Sequence, residues 1–235
     1  MPCSVTREDI LSVPAEAVVV CVDNPMVITG GEASRRILEA GGELLQKTVK
    51  EKRFLRVGDA VDITPCGLPY ERIILCAAPH WLTGKANEMY ALRVSYQSVF
   101  ALMEKLGIRT VAMPFLSVSY YRFPIAEAVH IALTEAEKSS GNTVFIAETE
   151  EVFEASRQEY KRPKIVSYVG WYRDDAYFEL DNGQYVRVDK RPERIRADVI
   201  PYIEPCCRVG NNSKQIPLPE DEIRRLQRIC ENNML

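Results

Sequence analysis

Residues 23 to 42 read DNPMVITGGEASRRILEAGG. A nearly continuous β-branched run, AEAVVVCV at 15 to 22, leads into this stretch, and helical spacing of Ile37, Leu38, Leu44 and Leu45 leads out of it. A run that is apolar on both faces suits a strand inside a parallel sheet. Gly30 and Gly31 sit at the corner where strand gives way to helix. Glycines there permit positive φ and let backbone N–H groups approach an anion closely. The corner is therefore either a phosphate cradle or a plain strand-to-helix turn.

The alternation continues outward from this corner. Strands are expected at 59–64, 72–78, 110–116 and 142–147. A helix over 88–106 carries Met89, Leu92, Tyr96, Val99, Met103 and Leu106 along one face and is closed by Gly107. Pro124 opens a second helix running to 138, and EEVFEAS at 150–156 reads as a short closing one. Strands alternating with helices predict a largely parallel sheet covered on both faces.

Composition shifts at SRQEYKRPK, 156 to 164, which reads as a linker between a domain at 1–160 and an appendage at 164–235. In the appendage IVSYVGWY and AYFEL are aromatic strands, Asn182-Gly183 is a two-residue hairpin turn, and YVRV completes a meander. Trp171, Tyr168 and Tyr172 are its expected small core, and PLPEDEIRRLQRICENN at 217–233 its helix. RVDKRPERIR, 187 to 196, reads as a solvated mixed-charge loop.

At 235 residues and 46% hydrophobic, the chain is long enough for a full core. Its net charge of -3 gives no electrostatic bias toward nucleic acid or an anionic membrane. The N-terminal MPCSVTREDI lacks a basic-then-apolar leader, and no apolar run has bilayer-spanning length. The seven cysteines show no C-x-x-C pair, and His80 and His130 are far in sequence from Cys206 and Cys207. These features predict a cytoplasmic protein without metal site, cofactor, membrane or nucleic-acid partner. Cys21, inside an apolar run, reads as an inert buried thiol.

Ligands of open α/β sheets bind beyond the carboxyl ends of strands, where glycine turns meet helix N-termini. Three such places occur in order: CVDNPMVITGGEAS, LCAAPHW at 75–81, and PFLSVSYYRFP at 114–124. With these motifs the sequence resembles the macrodomain family, modules that bind ADP-ribose and in many members hydrolyse its esters or conjugates. EDILSVPAEAVVV is similar to the family's Gly-Asp-Ile-Thr entry and first apolar strand, and Asn24 falls on its functional asparagine. VGDAVDITPCGLPYERIILCAAPHW is similar to its stretch ending in Gly-Pro-x-Trp. MPFLSVSYYRFP stands where the family has Pro-x-x-Ser-Thr-Gly-x-x-Gly-x-Pro. The resemblance spans residues 4 to about 155. It implies a three-layer α/β/α sandwich with a mixed sheet, followed by a small hairpin-and-helix appendage.

The same resemblance implies a cleft built from Asp9, Asn24, Gly30, Gly31, Ser34 and the loop Ser117, Val118, Ser119, Tyr120, Tyr121, Arg122 and Phe123. Asp9 would accept from an adenine amino group or cap a turn; Asn24 would contact a ribose or brace the turn before Pro25. Several family features are absent. Cys21 stands at the first asparagine, Ser34 at the aspartate many hydrolytic members use, and Ser119 and Arg122 at both glycines of the second phosphate loop. Arg122 would either grip a phosphate or plug the cleft. The aromatic side chains of Tyr120, Tyr121 and Phe123 would stack on a base or fill space. The expected function is recognition of ADP-ribose or a related nucleotide, or of an ADP-ribosylated protein, with no catalytic residue identified. The alternatives are an ADP-ribosyl hydrolase and a protein-interaction module whose cleft is closed.

Overall fold

The computed structural model describes residues 3–24, 26–162, 164–172, 175–189, 197–200 and 214–215. They fall into two compact units, residues 1–160 and 161–235.

In the first unit β1 (Cys3–Thr6), β2 (Ala17–Asp23), β3 (Val27–Ile28), β4 (Ala60–Ile63), β5 (Arg72–Ala77), β6 (Thr110–Pro114) and β7 (Asn142–Ile146) form one sheet. Its order is β1-β7-β6-β2-β5-β4, with β3 paired to β2. The pairs β1/β7, β7/β6, β6/β2 and β2/β5 are parallel, whereas β4 runs antiparallel to β5 and β3 to β2. The sheet is mixed, as expected.

Period-two alternation along β2 divides the core. Val19 and Cys21 belong to the layer under α2 (Glu88–Leu106), α3 (Ile125–Lys138) and α4 (Glu150–Tyr160). Val18, Val20 and Val22 belong to the opposite layer, with Ile37, Leu45 and Val49 of α1 (Glu32–Glu51). Val18, Val19, Val20 and Val22 are each fully buried, and each such side chain stabilises the fold by about 1.5–3 kcal/mol. Helices therefore cover both faces, which is the three-layer sandwich.

Three local differences from the sequence reading have physical causes. Residues 156–160 belong to α4 and are not linker, because Val152 and Ser156 turn a buried face inward while the polar residues hydrate. The strands β1 and β3 are four and two residues long, too short for a periodic signal. In α1 the backbone breaks its helical path at Gly42, with φ 53° and ψ -147°.

The second unit is an antiparallel sheet of β8 (Ile165–Tyr172), β9 (Asp175–Leu180), β10 (Tyr185–Asp189), β11 (Ala197–Ile200) and β12 (Lys214–Gln215). The β9–β10 turn falls at the expected place, but it is three residues long, Asp181 to Gly183 between the paired Leu180 and Gln184, and not the two-residue turn expected: only Gly183, at φ 77°, is left-handed. Ala176, Phe178, Leu180, Val186 and Val188 form its described core, and the ring of Tyr168 packs 5.3 Å from that of Phe178. The side chains of Trp171 and Tyr172, the stretch 190–196, Cys206, Cys207 and the 217–233 helix lie outside the described residues.

Candidate functional site

The site lies at the carboxyl ends of β2, β6 and β7. After β2 the chain turns at Asp23–Met26, returns as β3, and is pinned by Thr29 N–H donating to the Cys21 carbonyl at 3.0 Å. Gly30 follows with φ 117°, and Gly31 is the N-cap of α1. A Cβ on Gly30 would come within 2.6 Å of Ser34 Oγ, so only glycine fits there. A glycine N-cap has no side chain to satisfy the first helical N–H groups. Glu148, just past β7, supplies that acceptor: Ala33 N–H donates to Glu148 Oε1 at 2.7 Å. The Ser119 hydroxyl donates to the other carboxylate oxygen. A Cβ on Gly31 would run into the same carboxylate. An anion thus sits on the α1 N-terminus, where amides and helix dipole favour negative charge, and the protein provides that anion itself.

The second wall is the loop from Ser117 to Phe123, closed by Phe123 N–H donating to the Ser117 carbonyl at 3.0 Å. Ser117 is left-handed at φ 67° and donates its hydroxyl to the Pro79 carbonyl at 2.7 Å. Arg122, at φ 55°, keeps a left-handed backbone and is exposed, so of the two roles open to it, plugging the cleft is not the one it takes. Tyr121 does that instead. It is 3% exposed, shares a hydrogen bond with the Thr29 hydroxyl, and packs its ring 3.8 Å from that of His80. Burial raises the pKa of its hydroxyl, which stays protonated at any physiological pH. Phe123 packs edge-on against Trp81 at 4.8 Å, and Val118 packs against the core. Tyr120 remains 60% exposed beside His80.

Between these walls a cavity of about 10 Å³ remains, lined by Gly30, Gly31, Ser117, Ser119, Tyr120, Tyr121, Cys21 and Glu148 together with Pro114 and Phe115. That is room for about one water. Asp9, Asn24, Ser34, Val118, Arg122 and Phe123 are not among its lining residues. The Asp9 carboxylate caps the turn Ile10–Ser12, accepting from Leu11 N–H at 3.0 Å and from Arg36 Nε at 2.7 Å. The Leu11 N–H and then Arg36 hold its pKa below the usual carboxylate range. Asn24 is exposed in the β2–β3 turn, its own N–H donating to Asp23 Oδ1. Ser34 is 2% exposed and its hydroxyl has no partner. Burial pushes the Cys21 thiol up to about 12, which leaves it un-ionised and a poor nucleophile. Among the described residues no group of three or more His, Cys, Asp or Glu is placed to hold a metal ion, and no helix is long and apolar enough to cross a membrane.

The sequence reading missed Glu148. Its one sequence signal is position, since it comes two residues after the end of a strand whose carboxyl end faces the cleft.

The Macro domain family model matches residues 22–132. An O-acetyl-ADP-ribose deacetylase 1 of Pantoea vagans is 35% identical over 134 residues, covering 55% of this chain and 78% of the relative. An uncharacterised Fusobacterium nucleatum protein is 31% identical over 160 residues, covering 66% and 91%. Among solved structures, the Oceanobacillus iheyensis macrodomain with ADP superposes with a TM-score of 0.62 at 21% identity, covering 68% of this chain and 90% of that one. The Trypanosoma brucei macrodomain in complex with ADP-ribose gives 0.59 at 20% identity, covering 67% and 68%. With a relative this similar matched over most of its length, and with the three-layer sandwich these neighbours share, the chain belongs to the macrodomain family.

Proposed function

We propose that the cleft between Gly30-Gly31 and the 117–123 loop binds ADP-ribose or a related nucleotide and does not hydrolyse it. The observation that carries this reading is the convergence of the Ala33 N–H and the Ser119 hydroxyl on one anionic group. That donor set suits a phosphate oxygen as well as a carboxylate. The relatives named O-acetyl-ADP-ribose deacetylase and the neighbours solved with ADP and ADP-ribose support the ligand class. Turnover is not expected. Ser34 is buried with no carboxylate at its position, Asn24 is exposed in a turn, and Cys21 is held as a thiol.

Binding requires opening, because a nucleotide site needs several hundred Å³ and the resting cavity offers about 10 Å³. Tyr121 and Glu148 are the groups that must yield. The same closure favours a second reading, a protein-interaction module whose cleft stays shut, with Tyr121 locked between Thr29 and His80.

A thermal-shift panel of ADP-ribose, AMP and NAD on the full chain separates the two. The nucleotide reading expects ADP-ribose to raise Tm by a few degrees, since ligand at about 100 times Kd stabilises by about 2.7 kcal/mol. No shift with any of the three leaves the interaction module. O-acetyl-ADP-ribose incubated with the protein should remain intact; steady release of acetate would overturn the non-hydrolytic part.

A further inference from the structure

Resting on that nucleotide reading, we propose that Glu148 is the residue that sets affinity and selectivity at this site: its carboxylate is an internal ligand that holds the phosphate position until a diphosphate displaces it. Both of its oxygens are spoken for by groups that an incoming phosphate would need. Oε1 accepts from Ala33 N–H at 2.7 Å, and Oε2 accepts from the Ser119 hydroxyl. The contact with Gly31 is so close that no side chain fits between them. Of the two residues, Ser119 and Arg122, that stand at glycine positions of the loop this stretch resembles, Ser119 is the one that clasps the carboxylate.

The helix end also retains a donor that Glu148 does not reach. Ser34 Oγ, 2% exposed and without a partner, stands against Gly30, one of the lining glycines. A buried hydroxyl without a partner is costly unless something sometimes satisfies it, and a ligand oxygen at this corner would do so.

Two consequences follow from charge. A diphosphate beside an in-place carboxylate faces like-charge repulsion at contact distance, so the two exclude each other. Because the competent state is then a minor one, apparent affinity falls by the fraction open. A nucleoside without phosphate does not compete with Glu148 and is indifferent to it.

Calorimetric titration of the full chain with ADP-ribose and, separately, adenosine tests this in the wild type, Glu148→Gln and Glu148→Ala. Glu148→Gln keeps an acceptor for Ala33 N–H while removing the charge, and circular dichroism checks that each variant is folded. The expected result is that both variants bind ADP-ribose about tenfold or more tightly than the wild type, with adenosine affinity unchanged. A wild type that binds ADP-ribose with variants equal or weaker makes Glu148 a structural cap only, overturning this inference and leaving the nucleotide reading standing. Tightening of adenosine in parallel with ADP-ribose overturns the charge argument. Absence of ADP-ribose binding by all three proteins removes the nucleotide reading and this inference together.

Discussion

Four backbone N–H groups, those of Leu82, Thr83, Gly84 and Ala86, converge on the carboxylate of Glu88 at 2.7 to 3.3 Å. Donation by backbone amides, that of Thr83 foremost and then those of Glu88 itself, Ala86 and Gly84, lowers its pKa from the ordinary 4.5 to about 2. A carboxyl whose folded pKa lies below its unfolded value stabilises the ionised fold above pH 4.5, and the contribution drains away as pH falls toward 2. Glu88→Gln should therefore melt lower than the wild type at pH 7, and the gap should narrow between pH 4.5 and 2 in parallel thermal scans; a gap constant across that window contradicts the assignment. Glu148 does a related task at long range. Gly30 and Gly31 were readable because a strand-to-helix corner makes a local demand on φ. The Ala33–Glu148 contact joins positions 115 residues apart, and no spacing rule reaches that far. Arg122 was ambiguous because a side chain's direction depends on its backbone, and a left-handed φ of 55° leaves it exposed.

At the scale of elements, periodicity carried the most information. The buried runs of β2, β5, β6 and β7 and the apolar faces of α2 and α3 repeat often enough to be seen. β1 and β3 owe their existence to a partner strand already in place, with Cys3 opposite Thr143 and Val22 opposite Ile28. The break in α1 was also hidden, since EAGG looks like an ordinary helix end. Gly42 there adopts φ 53° with ψ -147°, and a Cβ added to it would meet nothing within 4 Å. Gly42→Ala thus isolates backbone strain from steric collision, and should cost about 1–3 kcal/mol in urea-induced unfolding. Gly31→Ala, by contrast, collides with the Glu148 carboxylate and should disturb the cleft as well as stability. An unchanged unfolding free energy for Gly42→Ala contradicts the strained geometry.

Across the whole molecule, the two units differ in what their sequences disclose. Residues 1–160 build a seven-stranded mixed sheet with buried layers on both faces, enough core for independent folding. We expect a chain ending at Tyr160 to unfold in one cooperative transition followed by circular dichroism; a broad, non-cooperative melt would tie its stability to the residues beyond. The place of the β9–β10 hairpin was legible from the φ that Gly183 adopts, though not the turn's length, whereas the polar face of α4 over 156–160 resembled a linker. The functional question rests on whether a nucleotide reaches the α1 N-terminus. A ¹⁵N-correlation titration of the full chain with ADP-ribose asks this directly. The nucleotide reading predicts saturable shifts of the Gly31, Ala33 and Ser119 amides as phosphate replaces the Glu148 carboxylate. Those three amides staying fixed at millimolar ADP-ribose would contradict it.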